Sequence, residues 1–470
     1  MTMTDTRPKT IGELRRGEYR VLPIKEEMRK NLVAKLRHDE ELFPGIVGYE
    51  DTVIPQVENA ILSGQDIVLL GERGQAKTRL ARALVNLLDE EVPMIAGCEI
   101  NDNPYEPVCA VCRAKVAERG DDVEITWLRR EDRYGEKLAT PDITIADLIG
   151  EIDPVKVAEG RYLSDEETIA YGLIPRTNRG IFCLNELPDL AERIQVGLLN
   201  IMEERDVQIR GYKVRLPLDT YVVASANPED YTNRGRIITP LKDRIGSEIR
   251  THYPRTVEGE IAIMDQEASP FSVSGLQVTY PPYMKEIIAE ITHLARKNPD
   301  ISKRSGVSVR VSVCNYENVL SNAARRAVKL DEKAVVPRIS DLSAVLASTS
   351  GKIELETVGD VNEERLIERI VQGAIVNVWN RHFLLADFEG LLGRFDRGFG
   401  VDASDELPSS HYLKGIEDIK GLKEAVAKVG GQGSPASIAS AVEFIMEGLH
   451  LNRKLNKDRT NATGRTRYRK

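Results

Sequence analysis

One octapeptide carries the strongest chemical signal in the chain. Gly71-Glu72-Arg73-Gly74-Gln75-Ala76-Lys77-Thr78 has the G-x4-[GA]-K-T spacing of a phosphate loop, with Arg79 next in line. Backbone N–H groups of such a loop, and the helix N-terminus behind it, point at phosphate oxygens. Lys77 is placed to hold the β- and γ-phosphates, and the Thr78 hydroxyl to ligate Mg²⁺. Ala76 replaces the usual second glycine and is small enough to leave the loop room. A second signal is the acidic end of an apolar run, Ile181-Phe182-Cys183-Leu184-Asn185-Glu186. Such strand ends carry an Asp for Mg²⁺ and often a Glu for water activation. Glu186 suits the general-base role. Asn185 departs from the pattern: an amide is neutral and a weaker Mg²⁺ ligand than a carboxylate.

These residues need elements to hold them. Ile67–Leu70 is four unbroken apolar residues, the pattern of a parallel strand buried on both faces. The helix after the loop is expected to place Leu80, Leu84, Leu87 and Leu88 on one face. Further strands are read at Ile181–Leu184 and Tyr221–Ala226, with helices at about 25–38, 51–62 and 190–203. The 206–216 segment alternates about a glycine and reads as a β-hairpin. Strands alternating with helices indicate an α/β sheet with crossover connections. Beyond about Pro254 helical patterns dominate. Residues 1–22 look loosely ordered, 99–142 an irregular polar insertion, 357–360 a joint and 429–435 a linker.

Composition excludes several classes. The chain has 470 residues, 41% hydrophobic and 30% charged, with a net charge of −9. That is ordinary globular composition, of a length suited to about three domains. No apolar run is long enough to span a membrane, and the N-terminus lacks a secretory pattern. Five cysteines are too few for a secreted disulfide framework and fit a reducing cytoplasm. The last 20 residues carry eight basic side chains against one acid, Asp458, and are expected to fray beyond Asn456. The rest of the chain is acidic, which argues against nucleic-acid binding.

Cys98, Cys109 and Cys112 give C-x10-C-x2-C. Structural zinc takes four ligands, commonly Cys or His. No histidine lies between His38 and His252, so a fourth ligand would be a carboxylate, a distant group or a partner's. A redox pair and plain reduced thiols are the alternatives. Cys183 and Cys314 read as packing residues.

Taken in order, the motifs resemble the AAA+ ATPases of the magnesium chelatase I subunit and MoxR clade, over about residues 40–345. Phe43-Pro44-Gly45-Ile46-Val47-Gly48 resembles the adenine-side box. The Ala-Lys-Thr phosphate loop, the Asp153–Pro175 stretch, the 206–216 hairpin, Asn227, Pro240-Leu241-Lys242-Asp243-Arg244 and Gly306-Val307-Ser308-Val309-Arg310 follow. The resemblance implies a three-layer α/β P-loop core over 41–255, with a helix-2 insert at 150–178. A helical lid over 256–350 and a mostly helical extension over 351–470 would follow, and residues 1–40 would be an N-terminal extension with one helix. It also implies ATP and Mg²⁺ as cofactors, with Ile46, Val47 and Gly71 through Arg79 on the nucleotide and Thr78 and Asn185 on the metal. Glu186 would activate water, Asn227 position it, Arg244 reach the neighbouring subunit's γ-phosphate and Arg310 sense it. An arginine finger acting across subunits implies a homo-oligomeric ring, a hexamer in this branch, and the branch commonly works with a von Willebrand A partner. The expected function is therefore ATP-driven remodelling or activation of a protein, with metal insertion or complex maturation as outcomes. Two alternatives stand beside it. One is an ATP-binding scaffold with little hydrolysis, motivated by Asn185. The other is a DNA-directed motor or transcription regulator, although the GAFTGA loop of sigma-54 activators is absent.

Overall fold

The computed structural model describes residues 7–159, 166–203, 206–208, 215–228, 236–302, 306–356, 362–413, 420–460 and 465–470. The chain forms two compact units, 1–252 and 253–470.

The first unit is built on five strands: β1 (Ile67–Leu70), β2 (Tyr134–Leu138), β3 (Gly180–Asn185), β4 (Thr220–Ala226) and β5 (Ser247–Arg250). They pair in the order β5-β1-β4-β3-β2, and every pairing is parallel. Side chains alternate between the two faces, as strand geometry requires. Val68, Leu70, Phe182, Leu184, Val222 and Ala224 enter one core, with Ile194 and Leu198 of the helix Glu192–Glu203. Ile67, Leu69, Ile181, Cys183, Tyr221 and Val223 enter the other. There they meet the helices Ile24–Arg37, Val53–Ser63 and Lys77–Ala83. Both faces are covered, which is why the strands read as continuous apolar runs. The register sets Leu70 beside Ala226, Ala224 beside Leu184, and Leu138 beside Asn185. The carboxyl ends of β1, β4 and β3 therefore lie side by side, the place where open parallel sheets bind ligands.

Three expectations for this unit change. Residues from Arg7 onward are tied down rather than loose. Thr10 caps the helix Ile11–Arg16, Ile11 N–H donates to Val123 O at 3.0 Å, and Ile11 and Leu14 are buried. The segment 99–142 is not wholly an insertion, because β2 inside it is an edge strand of the main sheet. Its half-polar sequence, Tyr-Gly-Glu-Lys-Leu, conceals it. The helix after the phosphate loop stops at Ala83 and continues as a 3-10 turn over Leu84–Leu87, although Leu80, Leu84, Leu87 and Leu88 are all buried as expected. The helix-2 insert forms an antiparallel pair, Gly150–Ile152 with Ile169–Tyr171. The second hairpin pairs Asp206–Gln208 with Arg215–Pro217, and its turn lies outside the described residues.

The second unit is mostly helical, and one continuous core runs through it. Met284, Ile287 and Val311 share that core with Trp379, Phe444 and Ile445. The helix Pro282–Lys297 thus belongs to the same body as Glu363–His382 and Pro435–Leu451. The 357–360 joint lies outside the described residues. The 429–435 segment is a packed turn rather than a linker. Val429 is buried, and a Cβ on Gly431 would sit 2.6 Å from that of Ala441. The basic tail does not fray at Asn456. Asn456–Thr460 and Arg465–Arg469 pair antiparallel, and Val401–Ala403 adds a third strand. Acids partner its cations: Arg467 with Asp402, Arg469 with Asp458 and Lys470 with Asp396.

Candidate functional site

The phosphate loop leaves β1 at Gly71 and enters the helix at Lys77. Gly71 has no room for a side chain: a Cβ would lie 1.9 Å from Thr251 Oγ1 and 2.2 Å from Gln75 Oε1. Gln75 is turned into the loop. Its Oε1 accepts from Glu72 N–H at 3.1 Å and from the Thr251 hydroxyl at 2.7 Å. The Tyr49 hydroxyl braces the loop from below, 2.8 Å from Gln75 O and 2.9 Å from His252 O. Burial raises the Tyr49 phenol to about 12, so it remains a donor at neutral pH. Ala76 carries a left-handed backbone, φ 54° and ψ 18°, at the residue that begins the helix. That region costs an L-residue about 1–2 kcal/mol. The smallness expected of Ala76 is therefore only half of what glycine supplies elsewhere.

Lys77 is the hub. Its buried ammonium donates to Gly71 O, to Glu72 O at 3.0 Å and to Asn227 Oδ1 at 2.6 Å. Asn227, at the end of β4, donates in turn to Glu186 Oε2 at 2.6 Å. The first residue of the phosphate-loop helix and residues at the ends of β4 and β3 are thus joined in one chain of ammonium, amide and carboxylate. Glu186 has φ 56°, a strained value for a residue other than glycine. Its N–H is held by Ser225 Oγ at 3.2 Å. Strain held in place by its surroundings is characteristic of functional positions.

Asn185 does not stand alone. Its amide N–H donates to Glu136 Oε1 at 2.7 Å, and its Oδ1 accepts from the Ser225 hydroxyl at 3.2 Å. Glu136, on β2, is also held by Arg82 of the phosphate-loop helix at 2.7 and 3.0 Å. A carboxylate therefore sits beside the strand end after all, one strand over. The sequence reading missed it because β2 itself was missed. For Mg²⁺ the donor set fits: a half-buried Thr78, the Asn185 amide and the Glu136 carboxylate. A cleft of about 360 Å³ opens on the loop, walled by Gly71, Gln75, Pro228, Lys242, Arg250 and Thr251.

The other expected residues fall as follows. Ile46 is buried in the core with Phe43 and Leu80, and Val47 beside it is half-buried. Arg73 and Arg79 are exposed, while Glu72 and Gly74 are half-buried. Arg244 ends the helix Thr239–Arg244, where it donates to Glu203 Oε2 at 2.7 Å and to Pro240 O at 2.9 Å. Arg310 belongs to the second unit, exposed in the first turn of the helix Val309–Lys329. Cys98, Cys109 and Cys112 do converge, and Asp102 joins them with all four ligand atoms within 4.8 Å of one another. Cys183 is buried within β3, as expected of a packing residue, and Cys314 is half-exposed.

A profile for the Sigma-54 interaction domain matches residues 157–246, from the helix-2 insert to just past Arg244. The magnesium-chelatase subunit ChlI of Nephroselmis olivacea is 23% identical over 320 residues, covering 65% of this chain and 86% of that protein. ChlI of Synechocystis sp. is 24% identical, covering 68% and 90%. Over about two thirds of its length the chain is similar to the magnesium-chelatase I subunits. A chain of a BchI–BchD magnesium chelatase complex aligns at 19% identity and a TM-score of 0.36, over 69% of this chain and 98% of that one. No helix among the described residues is long and apolar enough to cross a membrane.

Proposed function

We propose that this AAA+ protein hydrolyses ATP in a homo-oligomeric ring and uses the subunit motion to remodel or activate a protein partner. The observation that carries the reading is the hydrogen-bonded series Lys77–Asn227–Glu186. It puts the phosphate-binding cation and the general base on one rigid amide. In this reading Gly71 through Thr78 cradle the phosphates, and phosphate oxygens compete with the Gly71 and Glu72 carbonyls for Lys77. Glu186 takes a proton from the attacking water, and Asn227 fixes the carboxylate's direction. Mg²⁺, when bound, would neutralise charge on the phosphates, and Thr78, Asn185 and Glu136 are the residues that would hold it.

Arg244 acts across the subunit boundary. Its partner Glu203 is about half exposed, and an exposed ion pair is worth only about 0–1 kcal/mol. Arg244 therefore exchanges Glu203 for a neighbour's γ-phosphate at little cost. The partner in this reading is a protein with a von Willebrand A domain, and metal insertion or complex maturation is the outcome. Arg310 serves as the second γ-phosphate sensor, and the reaction takes place in the cytoplasm. A second reading, a binder with little turnover, draws on the neutral Asn185 at the metal side.

The test is steady-state phosphate release with Mg²⁺-ATP over a range of protein concentrations. Turnover that rises with concentration and collapses in Glu186→Gln and Arg244→Ala is expected. Mixing those two variants should restore part of the activity, since a base from one and an arginine from the other complete a shared site. Tight ATP binding with flat, near-zero release would favour the binder.

A further inference from the structure

We propose that Cys98, Asp102, Cys109 and Cys112 form a structural zinc site that closes the lobe inserted before β2. The observation is the convergence of four ligand atoms, three thiols and one carboxylate, all within 4.8 Å of one another. In a tetrahedral site with Zn–S of about 2.3 Å, sulfur atoms lie about 3.8 Å apart. The four atoms therefore close on a metal with movements of an ångström or less. Thiolate-rich, tetrahedral, four-ligand sets select zinc, and a set with no position left open is structural rather than catalytic.

The backbone is arranged to feed these ligands. The strand Glu91–Ile95 hands over to a loop that closes on itself, with Ile95 N–H bonded to Asp102 O at 3.2 Å. Gly97 turns this loop with φ 71°, which brings Cys98 back toward Asp102. The second arm begins at Cys109, the N-cap of the helix Ala110–Arg119. Four backbone N–H groups serve the ligands. Asp102 N–H approaches Cys98 Sγ at 3.4 Å, and Cys112 N–H approaches Cys109 Sγ at 3.3 Å. Asp102 accepts from Val108 N–H at 3.1 Å and Cys109 N–H at 3.0 Å. Donors aimed at sulfur and carboxylate favour their charged forms, as the helix N-terminus does. Arg113 and Lys115, in the same helix, add positive charge and bond to Val108 O and Ala96 O.

Asp102 and Cys112 are fully buried, and Cys109 nearly so. Cys109 and Cys112 also pack in the apolar core of the first unit, with Cys98 against it, but a buried carboxylate set among three thiols adds nothing to that core. Binding Zn²⁺ resolves it: each thiol gives its proton to solvent as its Zn–S bond forms, with no oxidant required. The site also has a consequence for β3. Asn101, next to Asp102, donates to Arg176 O at 2.8 Å, and Asn178 donates to Ile100 O at 3.0 Å. The metal loop is thereby tied to the residues that lead into β3 and hence to Glu186.

The experiment is metal analysis of the full-length chain, purified without chelator or histidine tag. About one zinc per chain is expected, and Cys98→Ser and Cys112→Ser should retain less than about a tenth of that. Asp102→Asn should weaken retention about 10–100-fold, and Cys314→Ser should change nothing. Because a serine variant could misfold, a second measurement uses the native chain. Exchange with Co²⁺ should give intense thiolate charge-transfer bands and tetrahedral d–d absorption, with release of protons on loading. A native chain that holds no zinc after anaerobic incubation with equimolar Zn²⁺ would overturn the site. So would iron in zinc's place, or a Cys109–Cys112 disulfide in the purified native chain. None of these readouts depends on ATP turnover, so failure here is separate from failure of the ATPase reading.

Discussion

Restoring an aspartate at position 185 should harm the nucleotide unit rather than improve it. In Asn185→Asp the amide that donates to Glu136 at 2.7 Å becomes a carboxylate facing a carboxylate. At a relaxed separation of about 4 Å and an effective dielectric of about 20, the repulsion is about 4 kcal/mol. Arg82 offsets part of this through its bidentate contact with Glu136. Its side chain is 64% exposed, however, and such pairs contribute only about 0–1 kcal/mol. A net loss of about 3 kcal/mol is therefore expected in metal-free buffer at pH 7. For a unit of this size that is a fall of about 6–12 °C in Tm. The two tryptophans make the assay direct, since Trp127 lies in the first unit and Trp379 in the second. In a Trp379→Phe background, Trp127 emission follows the first unit alone. Adding Glu136→Gln should return most of the loss, because the new amide donates to the new carboxylate. Excess Mg²⁺-ATP should narrow the gap by supplying a cation. An Asn185→Asp chain as stable as its parent, or a loss unchanged by Glu136→Gln, would refute the placement of Glu136 beside the strand end.

Other outcomes follow from the same geometry. Ala76→Gly removes the left-handed strain at φ 54° and should stabilise the first unit by about 0.5–1 kcal/mol after the extra backbone entropy is counted, read as a shift in urea midpoint. Glu186→Gln should lower phosphate release about 100-fold or more while ATP affinity, measured by calorimetry, stays within about threefold. In the second unit, burial pushes the Glu260 carboxyl up, but the neighbouring His293 ring and Arg296 guanidinium, with hydrogen bonds from Arg296 and Ser312, win and hold it below its usual value. Its stabilisation is thus full above about pH 4.5 and lost as pH falls through the lower folded value. Glu260→Gln should cost about 3–5 kcal/mol at pH 7 by leaving Arg296 buried without its charge partner, and should flatten acid unfolding followed by circular dichroism. Gly448→Ala places a Cβ 1.9 Å from Trp379 Cδ1 and should cost about 1–3 kcal/mol in thermal unfolding read by Trp379 emission.

What the sequence reveals of this molecule depends on whether one element or several must be read together. β1, β3 and β4 are buried on both faces and announce themselves as apolar runs, and the phosphate loop follows β1 without a gap. Edge strand β2 has a polar, half-buried composition, so a periodicity reading passes over it and takes its surroundings for an insertion. With β2 goes Glu136, and so Asn185 looks like a lost charge rather than a displaced one. The C-terminal hairpin is hidden for a similar reason. Its strands are nearly all polar, and they hold because Tyr468 is buried against Glu447 while the exposed arginines find acids on neighbouring strands and loops.

The cysteine cluster is an intermediate case. The Cys109–Cys112 spacing is legible, and the shortage of histidines directs attention to a carboxylate. Choosing Asp102 requires knowing that Ile95 and Asp102 close a loop, which is a backbone hydrogen bond and not a spacing. The same logic governs Lys77, Asn227 and Glu186, which are far apart in sequence. Parallel register alone brings their strand ends together, and it does so because Leu70 pairs with Ala226 and Ala224 with Leu184. A one-residue slip in either pairing would turn every side chain of that strand to the opposite face and bury the polar end residues in apolar core. The apolar alternation that fixes the register therefore also fixes the distance from Lys77 to Glu186, so the chemistry at the strand ends is set by residues that never touch a nucleotide.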